Sequence, residues 1–228
     1  MTETKPDEKH HRLLPIITGL FVATLLISNN LDAKIFHGLG LDLPAGVILF
    51  PLAYVFGDIL TEVYGYALAR RTIWTGFSGL VLMIVSYEVA RALPPASFWQ
   101  NQAAFDSVFA HIPRIAVASI VAYLCGEFVN SVIVAKMKVS QKGRHMAVRF
   151  VASTIGGQAI DTAVFVVLAF GGTMASADLG FVFLSGWAVK VAWEVIALPI
   201  TVPVVRWIKR IEKEDVYDKK TNFNPFRI

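Results

Sequence analysis

Charge is scarce in this chain, and so is cysteine. Only 17% of its 228 residues are Asp, Glu, Lys or Arg, against about 25% in a soluble domain. A water-soluble fold of this length would need more solvated surface than that. The single cysteine, Cys125, cannot form an internal disulfide and sits inside an apolar stretch. That excludes a disulfide scaffold and a thiolate metal cluster. No metal-ligand spacing links His10, His11, His37, His111 and His145. Walker A, G-x-S-x-G and H-E-x-x-H patterns are all missing, so the sequence indicates no cofactor, no catalytic centre and no ATP hydrolysis of its own. Residues 1–12 lack an apolar core ending in an A-x-A-like site and read as a polar tail rather than a cleavable leader.

What the chain has is apolar length. It is 55% hydrophobic, with a mean hydropathy of +0.58. About 20 residues cross the hydrocarbon core of a bilayer, and six stretches reach that scale: roughly 13–30, 44–66, 72–93, 113–136, 147–170 and 179–207. Pro44 and Pro113 suit first turns, and Pro94-Pro95 and Gly171-Gly172 suit ends. The expected fold is an all-α membrane protein with six transmembrane helices. Residues 1–12 form one tail, 13–209 the membrane domain and 210–228 a second tail.

Basic residues set the orientation. Arg12, Arg70, Arg71, Lys136, Lys138, Lys142, Arg144, Arg149, Arg206, Lys209 and Arg210 fall on one side, with only Lys34, Arg91 and Arg114 on the other. Both termini are therefore expected in the cytoplasm. The same placement explains the net charge of +4 without nucleic acid. Between spans 3 and 4, residues 96–112 mix Phe98, Trp99, Phe105, Val108 and Phe109 with polar groups. They read as an interfacial segment, either a surface-seated loop or a lid.

Polar residues interrupt the spans in a pattern. Asp58 and Glu62, Glu127 and Asn130, Gln158 and Asp161, and Lys190 and Glu194 are three or four apart, so each pair shares a helix face. A charged group at a helix centre costs roughly 2.5–3.5 kcal/mol on insertion scales. One such pair would be interhelical glue, at about 0.6 kcal/mol per bridge. Four pairs at similar depth predict a shared substrate pocket. Lys190 is read as the only deep base against five acids, so some acids hold protons or the ligand supplies donors or positive charge. Tyr54 lies four residues before Asp58, and Trp187 three before Lys190; together these rings favour a planar heterocycle. Asn29 and Asn30, beside Ser28, Asp32 and Lys34 at the end of span 1, are either a solvated helix end or a cap on the pocket. Small residues Gly76, Gly79, Gly156 and Gly157 favour close helix contacts, and a homo-oligomer is left open.

The segments LPAGVILFPLAYVFGDILTEVYGYALARR (43–71), PRIAVASIVAYLCGEFVNSVIVAKMK (113–138), RFVASTIGGQAIDTAVF (149–165) and the Lys190–Glu194 region strongly resemble the queuosine precursor transporter family, earlier grouped with vitamin uptake transporters. The resemblance runs over about residues 28–209, and GDILTEVYGY is its most specific piece. It implies a six-helix inner-membrane importer of the 7-deazaguanines preQ0 and preQ1, with a fold like the substrate-binding subunits of energy-coupling-factor vitamin transporters. The tRNA itself is not a partner. A deazaguanine fits the polar residues: a carboxylate accepts from its guanine-like edge, a donor such as Lys190, Gln158 or Asn130 meets its carbonyl, and a ring stacks on its plane. Two other functions compete. One is a capture subunit for another planar heterocycle, a vitamin or nucleobase, that needs an ATPase partner. The other is an intramembrane aspartyl hydrolase using Asp58 or Asp161.

Overall fold

A computed structural model describes residues 11–31, 33–38, 41–109 and 113–227. Residues 1–10 of the expected tail, Asp32 and His111 lie outside the described residues.

Among the described residues, seven helices and one hairpin make up the fold. Helix α1 (Leu14–Leu31) leads into an antiparallel hairpin, β1 (Ile35–Gly38) and β2 (Leu41–Pro44), with Ile35 opposite Pro44. A 3-10 turn (Ala45–Ile48) precedes α2 (Phe50–Tyr64). Then come α3 (Tyr66–Ala92), the short α4 (Gln102–Phe109), α5 (Pro113–Ser140), α6 (Met146–Phe170) and α7 (Ser176–Glu212). Residues 213–227 form an extended tail.

Among the described residues, five helices, α1, α3, α5, α6 and α7, are long and apolar enough to cross a membrane. The expected second span is realised differently, as a 3-10 turn followed by a helix of only 15 residues. This helix is the centre of the bundle. Eleven of its residues, from Pro51 to Tyr64, are buried, whereas α1, α3 and α7 turn rows of Ile, Leu, Val and Phe outward. An exposed apolar rim around a polar middle inverts the soluble pattern and suits lipid as the surrounding solvent.

Gly65 alone separates α2 from α3. Its φ of +82° lies where a Cβ is strained, and this freedom lets the chain reverse in one residue. Close crossing of α5 and α6 depends on Gly126 and Gly157: a Cβ at either would meet the other's carbonyl oxygen at 3.0 or 2.9 Å. At its start, α1 is capped from far along the sequence, because the Glu212 carboxylate accepts from the backbone N–H groups of Arg12 and Leu13.

Candidate functional site

Polar side chains from α2, α5, α6 and α7 line up in three levels along the bundle. The first is a cavity of about 330 Å³ near the hairpin end. Phe50 and Pro51 at the start of α2 face Ala122 and Tyr123 of α5, Phe165 of α6 and Gly186 of α7 across it. Its polar lining includes Asn29, Asp161 and Lys190. Lys190 Nζ donates to Asp161 Oδ2 at 2.6 Å and lies 4.7 Å from the Phe50 ring centroid. The ammonium therefore has one anionic partner and one π face, and both border the cavity.

The second level is one to two turns deeper. Asn130 Nδ2 donates to Asp58 Oδ1 at 2.8 Å, and the Ser153 hydroxyl reaches the same oxygen at 3.5 Å. Glu127 lies against the backbone of α2, where a Cβ on Gly57 would collide with its carboxylate. Asp58 is within electrostatic range of both Glu194 and Glu127, and Tyr54 within range of Asp161 and Glu127. Asp58, Glu127, Asn130, Gln158 and Glu194 are all buried. Seven of their oxygens have no hydrogen-bond partner among the described residues: Asp58 Oδ2, Asn130 Oδ1, Gln158 Oε1, and both carboxylate oxygens of Glu127 and of Glu194. Each of the seven can accept a hydrogen bond. Leaving a buried polar group unpaired costs about 1–3 kcal/mol, so this level is built to receive N–H or O–H donors.

The third level closes the opposite end. Arg149 grips Glu62 with two parallel bonds, Nε to Oε2 and Nη2 to Oε1, each 2.7 Å. Lys209 also donates to Glu62 Oε1, at 2.5 Å, and Lys138 Nζ lies 3.7 Å from it. Asp215, in the tail, joins Lys138 at 2.6 Å and Lys209 at 2.7 Å. Burial works against the Asp215 anion, but these hydrogen bonds and the two ammonium charges outweigh it and hold the carboxyl below its ordinary value.

The structure thus distributes the sequence-predicted residues. It brings Tyr54, Asp58, Glu127, Asn130, Gln158, Asp161, Lys190 and Glu194 to one axis. Glu62 shares the α2 stripe with Asp58 but is engaged by cations at the third level. Asn29 borders the cavity, while its amide donates to Leu25 O at 2.8 Å. Asn30 ties α1 to α3, accepting from the Tyr87 hydroxyl at 2.7 Å. Trp187 donates its indole N–H to Ile155 O at 3.1 Å, on the α6–α7 contact.

Lys190 is not the only deep base. Arg149 is 0% and Lys138 1% exposed, so two cations read as loop charges belong to the interior. A signal for them existed. Arg149 and Ser153 are four apart, and Glu127, Ser131 and Lys138 are spaced by four and seven, so each set shares a helix face. With Asp161 and Glu62 each supplied with a cation, the unbalanced acids are Asp58, Glu127 and Glu194.

A family model described as "Putative vitamin uptake transporter" matches residues 44–204, which include the second-level residues and Glu62, Arg149 and Lys190. A protein of Bacillus subtilis (strain 168) named "Probable queuosine precursor transporter" is 27% identical over 199 residues, 86% of this chain and 87% of that protein. One of Escherichia coli (strain K12) named "Queuosine precursor transporter" is 28% identical over 132 residues, 58% of this chain and 57% of that protein. No solved structure matches significantly. A multi-pass helical bundle with a polar axis, matched by that model over most of its length, belongs to the putative vitamin uptake transporter family, a family of transporters and not of enzymes.

Proposed function

We propose that the chain imports queuosine precursors, preQ0, preQ1 or both, across the cell inner membrane by alternating access. The supporting observation is the second level, whose seven buried oxygens lie one to two turns deeper than a cavity of about 330 Å³ lined by Asp161 and Lys190. A 7-deazaguanine carries adjacent N–H donors on its guanine-like edge, which a carboxylate such as Glu127 or Glu194 accepts as a pair. Its ring carbonyl needs a donor, and Lys190 on the cavity wall can supply one. The cationic aminomethyl group of preQ1 suits a second carboxylate, whereas the nitrile of preQ0 does not require one. The cavity lies at the small end of ligand sites, which run from roughly 300 to 1,000 Å³, and this favours a small bicyclic solute. The names of the two relatives support the same substrate class.

In this reading α2 is the sixth crossing. Four 3-10 residues and a 15-residue helix rise by about 30 Å together, the thickness of the hydrocarbon core. Both termini are then cytoplasmic, residues 13–209 form the membrane domain, and the fold is of the energy-coupling-factor substrate-binding kind. The test is uptake of labelled preQ0 and preQ1 by cells unable to make them, with and without this chain. A second reading, a capture subunit for another planar heterocycle, requires an ATPase partner. Transport by the purified chain alone in liposomes excludes it.

A further inference from the structure

The end of the bundle opposite the cavity is shut twice, by an ion network and by the tail lying over it. Glu62 is 0% exposed, as is Arg149, and the pair crosses from α2 to α6. The tail runs past them over the α2–α3 corner. Val216 N–H donates to Val63 O at 3.2 Å, and the Asp218 carboxylate accepts from Tyr66 N–H at 3.1 Å. Arg70 donates to Asn222 O and Asn224 O at 3.1 and 2.9 Å, and Trp74 Nε1 to Pro225 O at 2.8 Å. Tail and network are joined electrically, because Lys138 and Lys209 each contact both Glu62 and Asp215.

We propose that the Glu62–Arg149–Lys209–Lys138 network is the inner gate of the transport path and that residues 213–227 are its latch. The inference rests on the transporter reading, and the gate residues position the path rather than bind the solute. Two features favour a gate over a permanent seal. A buried ion network is a poor choice for stability alone, since well-packed apolar side chains of similar volume do as well or better. Charges do, however, tolerate two states, paired when the end is shut and hydrated when it is open. The tail, moreover, is held by hydrogen bonds and by ring contacts of Phe223 with Tyr66 and of Phe226 with Trp74, but Asp218 is its one buried residue among those described and Asp215 is 45% exposed; segments with few buried apolar contacts open at lower cost than the core. Opening the gate would therefore begin with release of Asp215 and Asp218, which frees Lys138 and Lys209 from the tail and weakens their hold on Glu62.

The test uses the full chain in inside-out membrane vesicles, with Cys125→Ser as background. Ser131→Cys is the reporter, because Ser131 is 0% exposed and lies between the second level and the network. A charged, membrane-impermeant maleimide is added from the tail side. The gate is expected to keep labelling slow in this parent, and Asp215→Asn with Asp218→Asn is expected to speed it about tenfold or more. Restoring the carboxylate with Asp215→Glu and native Asp218 is expected to return the slow rate, which separates an open gate from a misfolded chain. Fast labelling of the parent, slow labelling of the double variant, or fast labelling of Asp215→Glu would each overturn the proposal. No solute takes part, so a failure to transport queuosine precursors would remove the proposed substrate and leave this result standing.

Discussion

Glu62 and Glu127 are both 0% exposed glutamates inside the same bundle, yet their surroundings are opposite. Glu62 accepts a bidentate guanidinium and an ammonium. Glu127 accepts nothing from any described residue. A buried charge with every lone pair engaged contributes to a defined structure. A buried carboxyl with neither oxygen engaged is destabilising, and it persists where a ligand supplies what the protein withholds. The same residue type thus marks a closure at one level and a receptor at the next.

The contrast breaks most visibly at Arg149. Arg149→Leu leaves Glu62 buried with only its lysines and should cost about 3–5 kcal/mol, read as a large drop in the thermal midpoint of the purified protein. An unchanged midpoint would mean that the network carries no structural role. At the second level, replacing a carboxyl by an amide should do the reverse. Glu127→Gln and Glu194→Gln should leave the midpoint unchanged or higher while weakening solute binding by about 1–3 kcal/mol, roughly five- to 150-fold. A fall in stability without a loss of binding would place these acids with Glu62. Between the two stands Gly57→Ala, whose new Cβ would displace the Glu127 carboxylate. Overpacking of this kind costs about 1–3 kcal/mol, and its expected signature is lost binding together with a lowered midpoint, of which a second change, Glu127→Ala, restores the midpoint but not the binding.

The smallest effect concerns acid. Asp215 is held below its ordinary value in the folded chain, so its contribution to tail docking is complete above the unfolded value near 3.9 and is lost as pH falls through the folded one. Tail docking, followed by proteolysis after residue 212, should therefore be constant near neutrality and weaken only below about pH 4. Asp215→Asn should remove that part of the dependence. The change is modest because the half-exposed carboxylate is screened.

Much of this was legible from residue order. The six apolar stretches correspond to α1, the turn with α2, α3, α5, α6 and α7, with most ends within a few residues. Helical spacing also predicted that Asp58, Glu127, Gln158 and Glu194 share an axis. The hairpin was not legible, since its strands are four residues each and sit in the connection between the first two spans, just past the polar helix end. Nor were Arg149 and Lys138 recognised as interior groups. Cations near span ends are ordinarily explained by topology, and only the fold shows the tail and α7 wrapping over them. Asn30 has the mirror-image history. Its amide resembles a pocket cap in sequence, but Tyr87, 57 residues later, takes up its oxygen.

The account depends most on the claim that the unpaired acceptors of the second level receive the solute. The direct measurement is uptake of labelled preQ1 in cells that cannot make it, carrying either the native chain or Glu127→Gln at equal membrane abundance. The expected result is accumulation with the native chain and a loss of about tenfold or more with the variant. Equal accumulation by both, or none with the native chain, would contradict it.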